Sequence, residues 1–150
     1  MLLEEDGRVL KAIGFVRIVP GITDPSGTWQ SRSEITIDED LSTAIEGLGD
    51  FSHIIVLYWL HRSDRSRLSL RVHPRGRKEN PRVGLFATRS PNRPNPVGIM
   101  TVRLLECRRN VLLVEGLDAF DGTPVIDLKP YIPHSDCVKD ARVPSWITDH

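Results

Sequence analysis

A polar loop stiffened by prolines contains the residue types best suited to chemistry in this sequence. Residues 84–98 include Pro91, Pro94 and Pro96. Each proline fixes its own φ angle, and each restricts the preceding residue to extended conformations. Such a loop loses little conformational entropy when it holds a ligand or a partner. The alternative is a loop that only connects two strands. The polar side chains presented are Arg89, Ser90, Asn92, Arg93 and Asn95.

A second candidate segment is the turn at Asp121-Gly122. This dipeptide is typical of a turn, and Thr123-Pro124 then extends the chain again. Backbone donors and acceptors in such a turn can recognise the edge of a flat ring. The alternative is an ordinary hairpin with an Asp–Lys pair on its surface. Polar side chains nearby in the sequence are Asp118, Asp127, Lys129 and Tyr131.

A third candidate is His61-Arg62, which follows an apolar run from residue 54 to residue 60 that predicts a strand buried on both faces. Rigid strands often place functional groups at their ends, at the mouth of a pocket. A single histidine there is more often structural than catalytic, and the adjacent arginine favours a site only modestly. Both interpretations stay open at this point.

Basic residues are concentrated in one part of the chain, although the formal net charge is zero. Residues 62–93 hold ten of the twenty lysines and arginines, with Asp64 and Glu79 as the only acids. Such a segment is a candidate surface for binding phosphates. The alternative is a solvated loop whose basic side chains pair with acidic residues elsewhere in the chain. The residues that we expect to contact the phosphates of a nucleic acid, which the resemblance described below implies to be RNA, are Arg71, Arg75, Arg77, Lys78, Arg82 and Arg93.

Short apolar segments and turns predict the elements that position these residues. Strands are expected over 12–19, 34–38, 53–61, 82–87, 97–107, 111–118 and 125–132. One helix is expected from the helical spacing of four apolar residues, Leu41, Ala44, Ile45 and Leu48. Asp38 or Asp40 can start it, and Gly47 or Gly49 can end it. About six strands at short spacing favour an all-β domain, mainly β with one short helix, built as a closed or nearly closed antiparallel barrel. We expect one domain over residues 1–150, with residues 133–150 as a tail that meets a second subunit.

Composition excludes several classes of protein. The longest apolar run has seven residues, whereas a membrane span needs about twenty. The start of the chain lacks the features of a signal peptide, so we expect a soluble, cytoplasmic protein. Cys107 and Cys137 form no CxxC motif, and we expect two reduced thiols. A metal-dependent hydrolase is disfavoured and no metal is expected, because histidines 53, 61, 73 and 134 match no metal motif.

Taken together, the motifs resemble the TsaA-like family, whose best-known members are the TrmO tRNA methyltransferases. The resemblance spans roughly residues 10–147. Its most specific blocks are Phe-Ala-Thr-Arg-Ser at 86–90 and Arg-Pro-Asn-Pro at 93–96. Further blocks are Phe51-Ser52-His53, His61, Asp-Gly-Thr-Pro-Val at 121–125 and Asp-Leu-Lys-Pro-Tyr at 127–131.

The resemblance implies a non-Rossmann β-barrel that works as a homodimer. It implies S-adenosyl-L-methionine as cofactor, tRNA as partner, and methylation of N6 of threonylcarbamoyladenosine beside the anticodon. Many members carry a Pro-Arg-Gln segment after the first strand, and residues 19–30 of this chain do not align with it. The cofactor contacts implied are His61, Arg62, Arg89, Ile99, Asp121, Gly122, Thr123 and Pro124.

Methyl transfer to a delocalised nitrogen also needs a group that positions the acceptor or takes its proton. Tyr131, Asp118 and Asn95 are the candidates. The main alternative function is a barrel that binds S-adenosyl-L-methionine or RNA without turnover.

Overall fold

The computed structural model describes residues 9–20 and 31–147. The chain divides into two compact units. The barrel unit runs to His61 and resumes at Val97–Tyr131, and the loop unit comprises Arg62–Pro96 and the chain from Ile132 onward. That residues 1–150 form one domain stays a prediction. The strands are β1 (Gly14–Ile18), β2 (Arg32–Ile37), β3 (His53–Trp59), β4 (Arg71–Val72), β5 (Val83–Gly84), β6 (Val97–Arg108), β7 (Val111–Glu115) and β8 (Pro124–Pro130).

Six strands close the barrel in the order β1–β2–β7–β6–β3–β8. All the neighbouring pairs described are antiparallel. This confirms the predicted all-β class and the six-stranded antiparallel barrel, and it differs from the parallel sheet of Rossmann proteins. Closure is completed where β1 meets β8, because the amide of Ile13 donates to the carbonyl of Val125 at 2.8 Å.

Alternating side chains fill the barrel. In β3, Ile54, Val56 and Tyr58 are buried, while the residues between them are partly exposed. The sequence predicted a strand buried on both faces; instead, the period-two geometry of a strand turns one face inward and leaves the other accessible. Leu112 and Val114 of β7 are fully buried in the same core.

The predicted helix is present as two short 3₁₀ turns, Glu39–Ile45 and Leu48–Asp50. Gly47 separates them with a left-handed φ of 82°. Ile45 and Leu48 pack on the core, whereas Leu41 is 38% exposed. The predicted four-residue apolar stripe is therefore incomplete, because a 3₁₀ turn aligns residues three apart rather than alternating three and four. Asp38 precedes the first turn without a side-chain capping bond.

The loop unit contains the short β4–β5 pair and three single 3₁₀ turns, Arg65–Arg67, Pro74–Gly76 and Leu85–Ala87. The predicted strand over 82–87 thus ends at Gly84, and β4 lies in a segment expected to be loop. Asp64 begins the first turn by accepting hydrogen bonds from the amide and hydroxyl of Ser66, at 2.9 and 2.6 Å. Those bonds lower the pKa of Asp64.

The C-terminal segment forms a single helical turn, α1 (Pro133–Asp136). The carboxylate of Asp136 accepts the amide of Ile132 at 2.7 Å and so closes this turn. No helix in the described ranges 9–20 and 31–147 has the length and apolar character needed to cross a membrane.

Candidate functional site

The Asp-Gly turn lies between β7 and β8 of the barrel unit. The amide of Thr123 donates to the carbonyl of Phe120 at 3.2 Å, and Gly122 adopts a φ of 79°. A positive φ at the third position of a four-residue turn favours glycine, which explains the sequence signal. The turn is anchored to β1, because the carboxylate of Asp121 accepts the amide of Ile18 at 2.9 Å. Asp121 therefore shapes the corner as well as facing solvent.

The tip of β3 meets this corner. The amide of His61 donates to the carbonyl of Trp59 at 2.8 Å, which turns the chain directly after the strand. His61 Nδ1 lies 3.4 Å from the hydroxyl of Thr123, which is only 2% exposed. Two of the predicted cofactor contacts from distant parts of the sequence are thus neighbours within the barrel unit.

Ile99 and Asp118 also belong to the barrel unit. Ile99 projects from β6, is 55% exposed and pairs with Leu57 of β3. The backbone of Asp118 is held on both sides, since its carbonyl accepts the hydroxyl of Tyr58 at 3.1 Å and its amide donates to the sulfur of Met100 at 3.3 Å. The Asp118 residue itself is exposed, so its carboxylate is available to a ligand.

Gly98 lets the Tyr58 ring reach Asp118. A Cβ at Gly98 would lie 2.5 Å from Cε2 of Tyr58, inside contact distance. We expect Gly98→Ala to destabilise the protein by about 2 kcal/mol, the usual cost of overpacking, and to lower Tm by about 6 °C in thermal unfolding. Gly49→Ala is the control, because its Cβ would meet only Cys107 at 3.5 Å. An equal Tm for both variants would contradict this role of Gly98.

Tyr131 lies at the end of β8, beside the start of β3. Its amide donates to the carbonyl of His53 at 3.1 Å. The two rings form an edge-to-face pair with centroids 6.4 Å apart, and His53 Nδ1 is 2.8 Å from the hydroxyl of Ser52. Lys129 and Asp127 form the surface pair that the sequence offered as an alternative, at 2.8 Å, and this pair raises the pKa of Lys129.

The proline-stiffened loop belongs to the loop unit and is braced by its own side chains. The guanidinium of Arg93 donates to the carbonyls of Thr88 and Ser90, at 2.8 and 3.3 Å. The amide oxygen of Asn92 accepts the amide of Asp64 at 3.0 Å. These contacts give Arg93 an internal role in addition to the RNA contact predicted for it. Arg89 and Asn95 are exposed.

The loop unit holds a cavity of about 900 Å³. Arg75, Arg77 and Arg89 line it, and none of the three forms an ion pair with another described residue. Glu79 is the acidic residue in its lining. Within the described residues the lining is therefore cationic, and it suits an anionic ligand. Arg71, Lys78, Arg82 and Arg93 are outside this lining.

A tight turn supports one wall of the cavity. Arg75 has a left-handed φ of 57°, an uncommon conformation for a residue with a side chain. His73 Nδ1 donates to the carbonyl of Asn80 at 2.9 Å, and the side-chain amide of Asn80 donates to the carbonyl of Pro74 at 3.1 Å. In the sequence, Pro74 and Gly76 indicate only that the basic segment is broken into loop, and no pattern there pointed to His73 or Asn80 as cavity residues.

Two aromatic residues of the cavity were also missed. Phe86 is 77% exposed, and Trp146 reaches the lining from the C-terminal segment. The sequence could have identified Phe86 as a candidate binding residue, because a large apolar residue close to Arg89 in a polar loop is unusual. Trp146 lies more than fifty residues away in the sequence, where no local pattern connects it to the loop.

Metal ligands do not cluster in the described chain. Among residues 9–20 and 31–147, no group of three or more histidine, cysteine, aspartate or glutamate side chains could hold a metal ion. Burial raises the pKa of the Cys107 thiol, which disfavours its thiolate. Residues 21–30, which include most of the segment lacking Pro-Arg-Gln, lie outside the described residues.

Comparison with known proteins places these features in a family. Residues 21–137 match the family model described as the tRNA-methyltransferase O N-terminal domain. A relative from Archaeoglobus fulgidus, named S-adenosyl-L-methionine-binding protein, is 44% identical over 135 residues, which cover 87% of this chain and 94% of the relative. A relative from Methanothermobacter thermautotrophicus, named probable S-adenosyl-L-methionine-binding protein, is 54% identical over 105 residues, covering 70% of this chain and 73% of the relative.

A solved structure agrees with the sequence comparisons. The crystal structure of TrmO from Pseudomonas aeruginosa aligns with a TM-score of 0.71 and 31% identity. The alignment covers 93% of this chain but only 61% of that chain. This chain therefore spans less than two thirds of the length of that solved structure.

Proposed function

Because this chain belongs to the family of the tRNA-methyltransferase O N-terminal domain, we propose that it is an S-adenosyl-L-methionine-dependent tRNA methyltransferase. Its acceptor is N6 of threonylcarbamoyladenosine next to the anticodon. The observation that carries the proposal is the cationic cavity of the loop unit, which contains Arg89 without an ion pair among the described residues. Incubation with labelled cofactor and bulk tRNA tests it, and the label must appear on RNA.

The residues present fit the cofactor. The exposed guanidinium of Arg89 can bind the methionine carboxylate in the two-pronged geometry that arginine offers. In the barrel unit, exposed Ile99 offers an apolar surface for adenine, and the Asp-Gly turn offers backbone groups for its edge. The proposed cofactor contacts are His61, Arg62, Arg89, Ile99, Asp121, Gly122, Thr123 and Pro124.

Catalysis would depend mainly on positioning. When bound, the sulfonium supplies an electrophilic methyl group. The acceptor nitrogen would gain this methyl group in exchange for its proton, so this chain's own residues would have to orient that nitrogen and receive the proton. Holding nucleophile and methyl in line, at about 3–3.5 Å, accounts for much of the rate gain of such a reaction. Asp118 carries an exposed carboxylate that can take the proton, and Asn95 can position the acceptor through hydrogen bonds. Tyr131 lies beside His53 at the start of β3, about 20 Å along the strand from the corner at His61, so it is the weaker candidate for the same acceptor.

The tRNA phosphates are the proposed partners of the basic loop unit. The proposed contacts are Arg71, Arg75, Arg77, Lys78, Arg82 and Arg93, of which Arg75 and Arg77 also line the cavity. Phosphate neutralisation releases counterions, so binding should weaken steeply with salt.

Charge reversal at Arg77 is expected to weaken tRNA binding and to reduce the salt slope by about one. Arg77 has an ordinary extended backbone, so the substitution Arg77→Glu introduces no strain. Arg75→Glu should have the same effect on RNA. The measurement is tRNA affinity by fluorescence anisotropy across a salt series. Arg108→Glu in the barrel unit is the control for an exposed arginine elsewhere, and equal salt slopes for Arg77→Glu and Arg108→Glu would refute the phosphate contact.

A second candidate function is binding of the cofactor or RNA without turnover. The names of the two archaeal relatives favour it, since both are called binding proteins. The labelled-cofactor experiment separates the two functions, because a binding protein retains the cofactor and leaves the RNA unlabelled.

We also propose that the protein acts as a homodimer with residues 133–150 at the interface. The apolar Val138 and Val143 are 65% and 66% exposed and are available to a partner. The mass of the particle in solution tests this assembly.

A further inference from the structure

The exposed ring of Phe86 is held in place by the loop around it. Phe86 is 77% exposed, a high value for a phenylalanine. The guanidinium carbon of Arg93 lies 5.6 Å from the ring centroid, and two hydrogen bonds to the carbonyls of Thr88 and Ser90 fix that guanidinium. One face of the ring is therefore backed by a cation, while most of the ring remains open.

The same cavity combines this ring with a second aromatic residue and with cations. Trp146 contributes to its lining, as do the guanidiniums of Arg75 and Arg77. The loop unit thus places two aromatic side chains, and arginines that form no ion pair with another described residue, around about 900 Å³, a volume within the range of pockets for small organic ligands.

Proteins that recognise single-stranded nucleic acids commonly place aromatic rings beside arginines. Bases stack on the rings, and the backbone phosphates bind the cations. A base can use such a platform only when it is unstacked, because a base in a helix has both faces covered. A free phosphate would need the arginines but not the rings.

We propose that this cavity binds one unstacked nucleotide of RNA, with its base against Phe86 and Trp146 and its phosphate on Arg75 and Arg77. The proposal rests on the proposed function, since it gives the tRNA of that reaction a second point of attachment. The aromatic contacts distinguish this nucleotide site from a surface that binds phosphates through charge alone. His73 belongs to the same lining, and its Nδ1 is occupied by the carbonyl of Asn80, so Nε2 is the ring atom left to meet the base edge.

Two oligomers of equal length and charge separate stacking from electrostatics. One is a short single-stranded oligoadenylate, and the other is its abasic analogue with the same number of phosphates. We expect the full chain to bind oligoadenylate about tenfold more tightly than the abasic oligomer, as measured by fluorescence anisotropy. Equal affinity for the two oligomers would overturn the proposal.

Variants assign that preference to the cavity. In Phe86→Leu and Trp146→Leu the tenfold preference should fall toward one, while affinity for the abasic oligomer stays the same. Phe15→Leu is the control, because Phe15 is 50% exposed on strand β1 of the barrel unit. Folding of each variant is checked by circular dichroism and Tm, and two leucine variants that fold and keep the preference would refute the proposed site.

Measurements of cofactor binding and of tRNA methylation distinguish a failure of the nucleotide-site proposal from a failure of the proposed methyltransferase function. Calorimetry with S-adenosyl-L-methionine should give the same affinity for Phe86→Leu, Trp146→Leu and the wild type. If both leucine variants lose cofactor affinity and keep the oligoadenylate preference, Phe86 and Trp146 belong to the cofactor site together with Arg89, and the proposal is wrong. If the preference disappears in both variants while no label reaches tRNA with the wild type, the nucleotide site stands and the methyltransferase proposal fails.

Discussion

Replacing Arg89 by alanine is expected to weaken the binding of S-adenosyl-L-methionine by about 100-fold, which corresponds to the loss of a strong hydrogen bond to a charged group. The effect is large because Arg89 lines the cavity of the loop unit and has no ion pair among the described residues to compensate. Calorimetric titration of the folded variant measures it. Arg89→Lys should have an intermediate affinity, because lysine keeps the charge but not the two-pronged geometry.

The control for Arg89 is Arg82→Ala. Arg82 is an exposed arginine of the same unit outside the cavity lining, and its backbone carbonyl, not its guanidinium, accepts a hydrogen bond from Arg71. Arg82→Ala should therefore keep the wild-type cofactor affinity. Unchanged affinity in a folded Arg89→Ala protein would remove Arg89 from the cofactor site.

Replacing Gly14 by alanine is expected to destabilise the barrel by about 3 kcal/mol, at the upper end of the usual overpacking cost. A Cβ at Gly14 would lie 2.2 Å from the carbonyl oxygen of Thr36 and 3.0 Å from Cα of Ile37. Both atoms are backbone, so no side chain can move aside. Gly14 pairs with β2 and β8 at once, and any shift of β1 therefore strains both of its neighbours.

Thermal and denaturant unfolding test the Gly14 prediction. For a chain of this size, 3 kcal/mol corresponds to a fall in Tm of roughly 10 °C. Gly84→Ala is the control, since its Cβ would meet no atom within 4 Å and Gly84 has an ordinary φ of −61°. A Gly14→Ala protein as stable as Gly84→Ala would show that the β1–β2 pair can separate at this point without cost.

Turn chemistry was predictable at the Asp-Gly corner because it is local. Gly122 adopts the positive φ that the dipeptide indicated, and Asp121 anchors the corner through a backbone bond that no sequence pattern encodes. The approach of His61 to Thr123 within 3.4 Å depends on the closure of the barrel across sixty residues. The family resemblance implied that His61 and Thr123 both contact the cofactor, but it did not predict that the two side chains are neighbours.

The helix shows where local pattern was insufficient. Four apolar residues at helical spacing predicted a single helix, but the left-handed Gly47 divides the segment into two 3₁₀ turns. Packing of Ile45 and Leu48 on the core decided which residues turn inward. In the loop unit, ten basic residues were evident from composition, yet composition could not select Arg75, Arg77 and Arg89 as the cavity residues.

By itself, the sequence determined the all-β class, the number of barrel strands, the turn residues and the family, because period-two alternation, turn dipeptides and motif blocks are local along the chain. Tertiary structure alone decided that Phe86 and Trp146 share a cavity with three arginines, and that Arg93 braces the loop beneath Phe86. The physical reason is that these features join residues up to about seventy positions apart. Such contacts are selected by the packing of a whole unit, which no short window of residues contains.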